Sequence, residues 1–248
     1  MSFLWFKNGR IRRLELKNKN DIKQIKKAIQ IGVGSLLYIR NFIEENITTK
    51  ELNDRIENYI KKHDAIPSFK NYRGFPESTC ISINEEIIHG IPSKRKLKNG
   101  DVVKIDVGVN YNEYYSDQAR TYIVRKAQSR LHKYLIKKTE LALSQAIKMA
   151  KEGKMLSDIS KTIENTANSF GLGILENYSG HGVGFAVHEE PLIPNIYIKN
   201  DIILKKGMVL AIEPMFVLGT GKYKIGKDNW TVIADGIGAH FEETVIII

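Results

Sequence analysis

The chain has 248 residues, 42% of them apolar, enough to bury a sizeable core in one large domain. Its only cysteine, Cys80, has no partner for an intrachain disulfide, so the framework asks for no oxidising compartment and a reducing cytoplasm is the expectation. The formal net charge of +10 favours contact with polyanions but implies no specific reading of DNA; the opening MSFLWFKNGRIRR puts apolar residues ahead of charges, the reverse of a secretion signal, and no later run reaches membrane-spanning length.

Residues 1–20 read as a basic N-terminal tail, in which Lys7, Arg10, Arg12, Arg13, Lys17 and Lys19 face only Glu15. A solvated tail and an arm facing the ribosome or RNA both fit this composition. From Asp21 to about Glu45, the residues Ile22, Ile25, Ile29, Val33, Leu36 and Leu37 recur at helical spacing, with Asn20 or Asp21 as the cap. A second helix is expected from Thr49 to about His63, opened by a capping box of Thr48 with Glu51 and burying Leu52, Ile56 and Ile60. The period then changes: CISINEEII, DVVKIDVGV and YYSDQARTYIV are rich in β-branched and aromatic residues and read as strands.

The second half replays this order, with helices near Leu131 to Lys151 and Ser157 to Ser169, then strands around Val209 to Val217 and Phe241 to Ile248. Gly153 and Gly171 stand where helix C-termini favour glycine. LKNGDVVKID, Leu97 to Asp106, aligns without gaps with LKKGMVLAIE, Leu204 to Glu213, and in both a turn glycine (Gly100, Gly207) stands six positions before a carboxylate inside an apolar strand. SDQARTYIV and FEETVIII each add a carboxylate, Asp117 and Glu242, near the start of a β-rich run. The pattern reads as an internal duplication of a helix, helix, carboxylate-hairpin unit.

An ionised acid inside an apolar strand costs several kcal/mol unless a cation or donor compensates it. One such acid is more often structural. Asp106 and Glu213 at duplicated positions, each followed by a further acid, point instead to acids converging on divalent cations, two of which would balance four negative charges. Histidine adds to this: SGHGVGFAVHEEP holds His181 and His188 among Gly180, Gly182 and Gly184, with a bend needed if both are to reach one site, and His89 ends a strand in IIHGIP.

As a set, DVVKIDVGV with SDQART, SGHGVG with VHEEP, AIEPM and HFEET resemble the methionine aminopeptidase family, type I, in order and approximate spacing over essentially the whole chain after the tail. The resemblance implies an α/β (α+β), pseudo-two-fold symmetric pita-bread fold: a curved, mostly antiparallel sheet with helices on its outer face, in a single catalytic metallopeptidase domain over 21–248 made of two pseudo-symmetric halves. It implies two divalent ions (cobalt, manganese, iron or zinc) held by Asp106, Asp117, His181, Glu213 and Glu242, with Asp117 and Glu242 bridging. It implies that activated water attacks the first peptide carbonyl, that Glu213 manages the proton, that His188 stabilises the oxyanion, and that His89 contacts the scissile amide. The methionine side chain would enter a pocket of Tyr72, Phe75, Cys80, Val187, Met215 and Trp230, and the substrate would be the N-terminal methionine of nascent polypeptides whose second residue is small.

The chain departs from the family pattern at Gly108 and Gln118, where threonines are usual, at Glu243, where histidine is usual, and at Val187, often aromatic. Glu243 adds negative charge near the site unless it points away. Two rivals are a proline-preferring aminopeptidase of the same superfamily, which the short chain and pocket residues disfavour, and a noncatalytic protein on this fold that associates with ribosomes or RNA, which has no reason to keep five ligands. The interval from His188 to Glu213 has no room for the helical insertion of the type II enzymes.

Overall fold

The computed structural model describes residues 14–175, 177–200 and 202–248. Lys7, Arg10, Arg12 and Arg13 of the expected tail lie outside these. From Leu14 onward the chain is packed, with Leu14 against an apolar core and the Lys17 side chain fully buried.

The first half runs α1 (Lys19–Ile39), a 3₁₀ turn (Arg40–Phe42), α2 (Thr49–Lys61), β1 (Ile66–Pro67), β2 (Cys80–Ile83), β3 (Glu86–Ile88), β4 (Val102–Tyr111) and β5 (Tyr114–Ile123). Both helices open with capping boxes. In α2 the Thr48 hydroxyl accepts from the Glu51 N–H while Glu51 reaches back to the Thr48 N–H. In α1 the cap is Asn18 rather than Asn20 or Asp21, because Asp21 is the third helical residue and its carboxylate accepts from the Asn18 N–H. Leu37, expected in the buried stripe, is 63% exposed, since its neighbour Leu36 already takes the inward position.

The second half follows with α3 (Arg130–Met149), α4 (Leu156–Ser169), β6 (Gly173–Ile174), β7 (Ser179–Gly182), β8 (Glu189–Pro194), β9 (Val209–Ile212), β10 (Met215–Val217), β11 (Tyr223–Ile225), β12 (Val232–Ala234), β13 (Gly238–His240) and β14 (Glu243–Ile246). The expected strand over Val209 to Val217 is divided at Pro214, which has no N–H to give a ladder.

All strand pairings among the described residues are antiparallel, in four hydrogen-bonded sections. Two are four-stranded: β4 is flanked by β1, β2 and β5, and the other runs β14-β9-β7-β8. They meet where Ala119 and Glu242 exchange backbone hydrogen bonds of 3.3 and 3.0 Å. Each half keeps its own core. Ile31, Leu52, Ile56 and Val103 are among the residues that join α1 and α2 to the first sheet, and Leu143, Ile163, Leu210 and Ile212 among those that join α3 and α4 to the second. Gly100 and Gly207 share a φ of +89°, which glycine alone adopts without steric cost, and β4 and β9 begin two residues beyond each. The carboxylates carried by these strands therefore meet across the seam between the halves.

Candidate metal centre

Strand register explains why the acids converge. Ala119 on β5 lies opposite Asp106 on β4, and Asp117 lies opposite Gly108, so Asp106 and Asp117 share one face as diagonal neighbours. Ala119 also bridges to Glu242, and its methyl group leaves room for the acids on either side to approach. On the other sheet His181 pairs with Ala211, two residues before Glu213, so imidazole and carboxylate project from the same face. His181 Nε2 is 3.7 Å from Glu213 and 4.0 Å from Asp117.

The electrostatics oppose this gathering. Burial, with Glu213 adding repulsion, lifts the Asp106 carboxyl to about 7, although the nearby His240 acts against it. Burial alone lifts Glu213 to about 7 against the lowering influence of His181. Asp117 and Glu242 are pushed well above the ordinary carboxylate range, first by burial and then by each other's neighbours, Asp106 and Asp117 respectively. Asp106 Oδ1, Asp117 Oδ1 and Glu242 Oε1 are buried with no hydrogen-bond partner among the described residues. Acids that repel one another and leave oxygens unsatisfied are costly without a cation, and the donor set suits one.

The remaining geometry agrees. His181 Nδ1 is 2.9 Å from the Gly182 carbonyl, which fixes the ring so that Nε2 presents its lone pair to the acids. The donor trio of Asp117, His181 and Glu242, and a second of Glu213, His240 and Glu242, each have ligand atoms within 4.8 Å of one another. Asp106, Asp117, His181, Glu213 and Glu242 line one cavity of about 40 Å³, which His240 borders from behind Glu213 and Glu242 without lining it.

The bend expected between His181 and His188 is a hairpin. β7 and β8 pair Gly182 with Glu189, Gly184 takes a φ of +135°, and the two imidazole rings end 4.3 Å apart. Glu189 closes the loop: its carboxylate accepts from the Phe185 and Ala186 N–H groups and from the buried Lys17 ammonium. The Tyr72 hydroxyl is 2.9 Å from His188 Nδ1, and burial holds that ring well below the usual histidine range. His89 lines the same cavity from a left-handed backbone at φ 58°, and burial depresses it likewise.

Phe75, Cys80 and Val187 form an apolar cluster with Phe69, against which Tyr72 and Trp230 pack. Met215, expected in the same pocket, packs in the adjoining cluster with Ile88 and Tyr178. Cys80 stands opposite Asp106 on the neighbouring strand, so this apolar wall adjoins the acids directly.

The departures find reasons. A Cβ on Gly108 would lie 2.1 Å from Ser68 Oγ and 2.5 Å from the Phe69 ring, so a threonine there would require both side chains to shift. Gln118 points the opposite way to Asp117 and lies against Gly32 of α1. In its neighbourhood the Thr244 hydroxyl supplies the contact, accepting from the Asp117 N–H at 2.8 Å. Glu243 points away and pairs with Arg120. Sequence reasoning missed His240. It is 1% exposed, with Nε2 3.3 Å from Glu213 and 3.9 Å from Glu242, and its signal was the His-x-Glu alternation that puts both on one face of a strand.

Residues 23–248 match metallopeptidase family M24, and the chain belongs to it. Within that family it groups with the methionine aminopeptidases. It is 45% identical over 240 residues to the methionine aminopeptidase of Borreliella burgdorferi, covering 95% of each chain. The solved methionine aminopeptidase of Rickettsia prowazekii superposes with a TM-score of 0.92 at 35% identity, over 94% of this chain and 96% of that one. A prolidase from Pyrococcus furiosus superposes at 0.78 and 28% identity, but this chain covers only 62% of it.

Proposed function

We propose that this chain is a metal-dependent aminopeptidase that removes the N-terminal methionine from nascent proteins when the second residue is small. The observation that carries the reading is the convergence of Asp106, Asp117, Glu213 and Glu242 with His181 on one buried cavity, with oxygens left unpartnered. In this reading the centre would take two divalent ions, of cobalt, manganese, iron or zinc, which Asp106, Asp117, His181, Glu213 and Glu242 would hold. Such ions would supply Lewis acidity toward the scissile carbonyl and an activated water near neutral pH.

The protein's own groups do the rest. Glu213 takes and returns the proton of the attacking water. The Tyr72 hydroxyl, 2.9 Å from His188 Nδ1, holds that ring nitrogen, which leaves Nε2 to donate to the oxyanion of the tetrahedral intermediate. His89, held at the cavity by its backbone conformation, contacts the scissile amide. Tyr72, Phe75, Cys80, Val187, Met215 and Trp230 receive the methionine side chain, the first four and Trp230 from one apolar cluster and Met215 from the adjoining one. We place the enzyme in the cytoplasm, with the basic residues of segment 1–20 other than the buried Lys17 as a salt-sensitive contact with the ribosome. No described helix is long and apolar enough to cross a membrane.

The test is to strip the protein of metal, verify this by elemental analysis, and assay a Met-Ala peptide before and after adding back each divalent ion. Release of methionine only after reloading is expected. Full activity in the stripped protein overturns the reading.

A further inference from the structure

His240 ends β13 and has a role that the five-residue ligand set does not cover. Its backbone is clamped on both sides by one hydroxyl: Thr121 Oγ1 donates to the His240 carbonyl at 2.7 Å and accepts from its N–H at 2.9 Å. The ring is thereby fixed at the seam between the halves, 1% exposed, yet neither ring nitrogen has a hydrogen-bond partner among the described residues. A buried imidazole with nothing to bond is costly, and the usual remedy is a backbone carbonyl, as His181 finds in Gly182. What faces His240 Nε2 instead is carboxylate oxygen, at 3.3 Å from Glu213 and 3.9 Å from Glu242.

Those separations are the ones that donors around one ion adopt. First-row divalent cations hold imidazole nitrogen and carboxylate oxygen at about 2.0–2.2 Å, so ligands sharing an ion lie about 3–4 Å apart. Histidine ligates as the neutral ring through a nitrogen that no other group engages, and His240 Nε2 has no hydrogen-bond partner among the described residues. The trio of Glu213, His240 and Glu242 matches the trio of Asp117, His181 and Glu242, one imidazole in each, joined through Glu242. We propose that His240 is a second imidazole ligand of the dinuclear centre, sharing one ion with Glu213 and Glu242. This rests on the dinuclear reading above and changes its character: the centre holds a histidine from each trio, and the added nitrogen shifts it toward softer, more nitrogen-seeking ions than an oxygen-dominated site prefers.

The test uses cobalt(II) as the probe on metal-stripped wild type and on His240→Gln, which keeps the bulk and an amide in place of the ring. Binding is followed by calorimetry against a chelator and by the visible absorption of the bound ion. In the variant, one of the two ions should weaken by more than about tenfold, the least that losing even an outer partner of a ligand usually costs, and the absorption band should change. Unchanged affinity overturns the proposal, as does weaker binding with an unchanged spectrum, which marks His240 as a positioning residue for Glu213. Should the variant fail to fold, pulsed electron paramagnetic resonance on the manganese-loaded wild type decides, two coupled histidine nitrogens supporting the proposal and one overturning it. A wild type that binds no divalent ion at all sinks the dinuclear reading itself, a distinct outcome.

Discussion

At the scale of single residues, the four buried acids set the energetics of the site. Asp106 and Glu213 are raised to about 7 in the fold, whereas in an unfolded chain such groups titrate near about 4. An acid with a raised folded pKa binds its proton more tightly when folded. Its favourable contribution is therefore complete below the unfolded value and is lost as pH rises through the folded one. The thermal midpoint of metal-stripped protein should fall between about pH 4 and about pH 7, and the rise on adding a divalent ion should grow over that window. A flat metal-free profile in a melting series would show that these acids are otherwise compensated. His188 should behave differently from the ligands: His188→Ala should keep its metal content and lose about 3 kcal/mol in kcat, the typical loss for one oxyanion donor. Loss of the metals in that variant would make it a ligand. The acids were legible in the sequence because an acid between Ile105 and Val107, or between Ile212 and Pro214, contradicts its surroundings. His240 contradicts nothing locally; only the pairing of β13 with β10 brings it beside Glu213. The outward turn of Glu243, by contrast, follows once Glu242 is known to point inward.

At the scale of elements, the hairpin joining β7 to β8 positions His181 and His188, and a buried ion pair holds it. Lys17 and Glu189 have fully buried side chains and meet at 2.5 Å, with the Lys17 N–H also donating to the Gly207 carbonyl at 2.8 Å. The segment before α1 thus fastens the loop between His181 and His188 to the turn that starts β9. Removing one partner of a buried pair leaves an uncompensated charge and typically costs about 3–5 kcal/mol. Lys17→Met should lower the urea midpoint accordingly, and adding Glu189→Gln should recover part of the loss, since the amide oxygen still accepts from the loop N–H groups. If Lys17→Met unfolds at the wild-type midpoint, the pair is not what secures the loop. This role was hidden in the sequence, where Lys17 counted as one more charge in a basic stretch and its partner lies 172 positions away. The helices were plain by contrast, because capping boxes and apolar spacing are local signals. Even there, the α1 start moved to Asn18 because Asp21 closes a capping box rather than forming the cap itself.

At the scale of the whole molecule, duplication accounts for the architecture: each half packs a helix pair on a sheet, and the strands after Gly100 and Gly207 carry acids to a common seam. The alignment of Leu97 to Asp106 with Leu204 to Glu213 made that symmetry readable. The break of the sheet into four sections was not, because it depends on where strands curve past one another rather than on local pattern. Placing the site on the seam also constrains the substrate. Cys80 lies opposite Asp106, so the apolar cluster of Phe69, Phe75, Cys80 and Val187 begins where the acids end, and in the proposed function a substrate whose amino group and carbonyl engage the acid-lined centre would direct its first side chain into that cluster. A flexible thioether fills such a space well, while a charged side chain would be desolvated without a partner. Shortening the first side chain should lose only about 1–3 kcal/mol, because apolar pockets discriminate weakly per methylene. The second residue meets a harder limit. With two groups of the first residue anchored, the peptide cannot slide outward, and the cavity of about 40 Å³ is ringed by Phe69, His89, Tyr178 and His188. A bulky second side chain must then displace one of those rings or release an anchored group. Purified, metal-loaded protein should therefore cleave Met-Ala and Met-Ser peptides with much higher kcat/KM than Met-Lys or Met-Phe peptides, and should release leucine or lysine slowly. Equal rates on Met-Ala and Met-Phe peptides would mean that the anchored geometry, and with it the assigned specificity, is wrong.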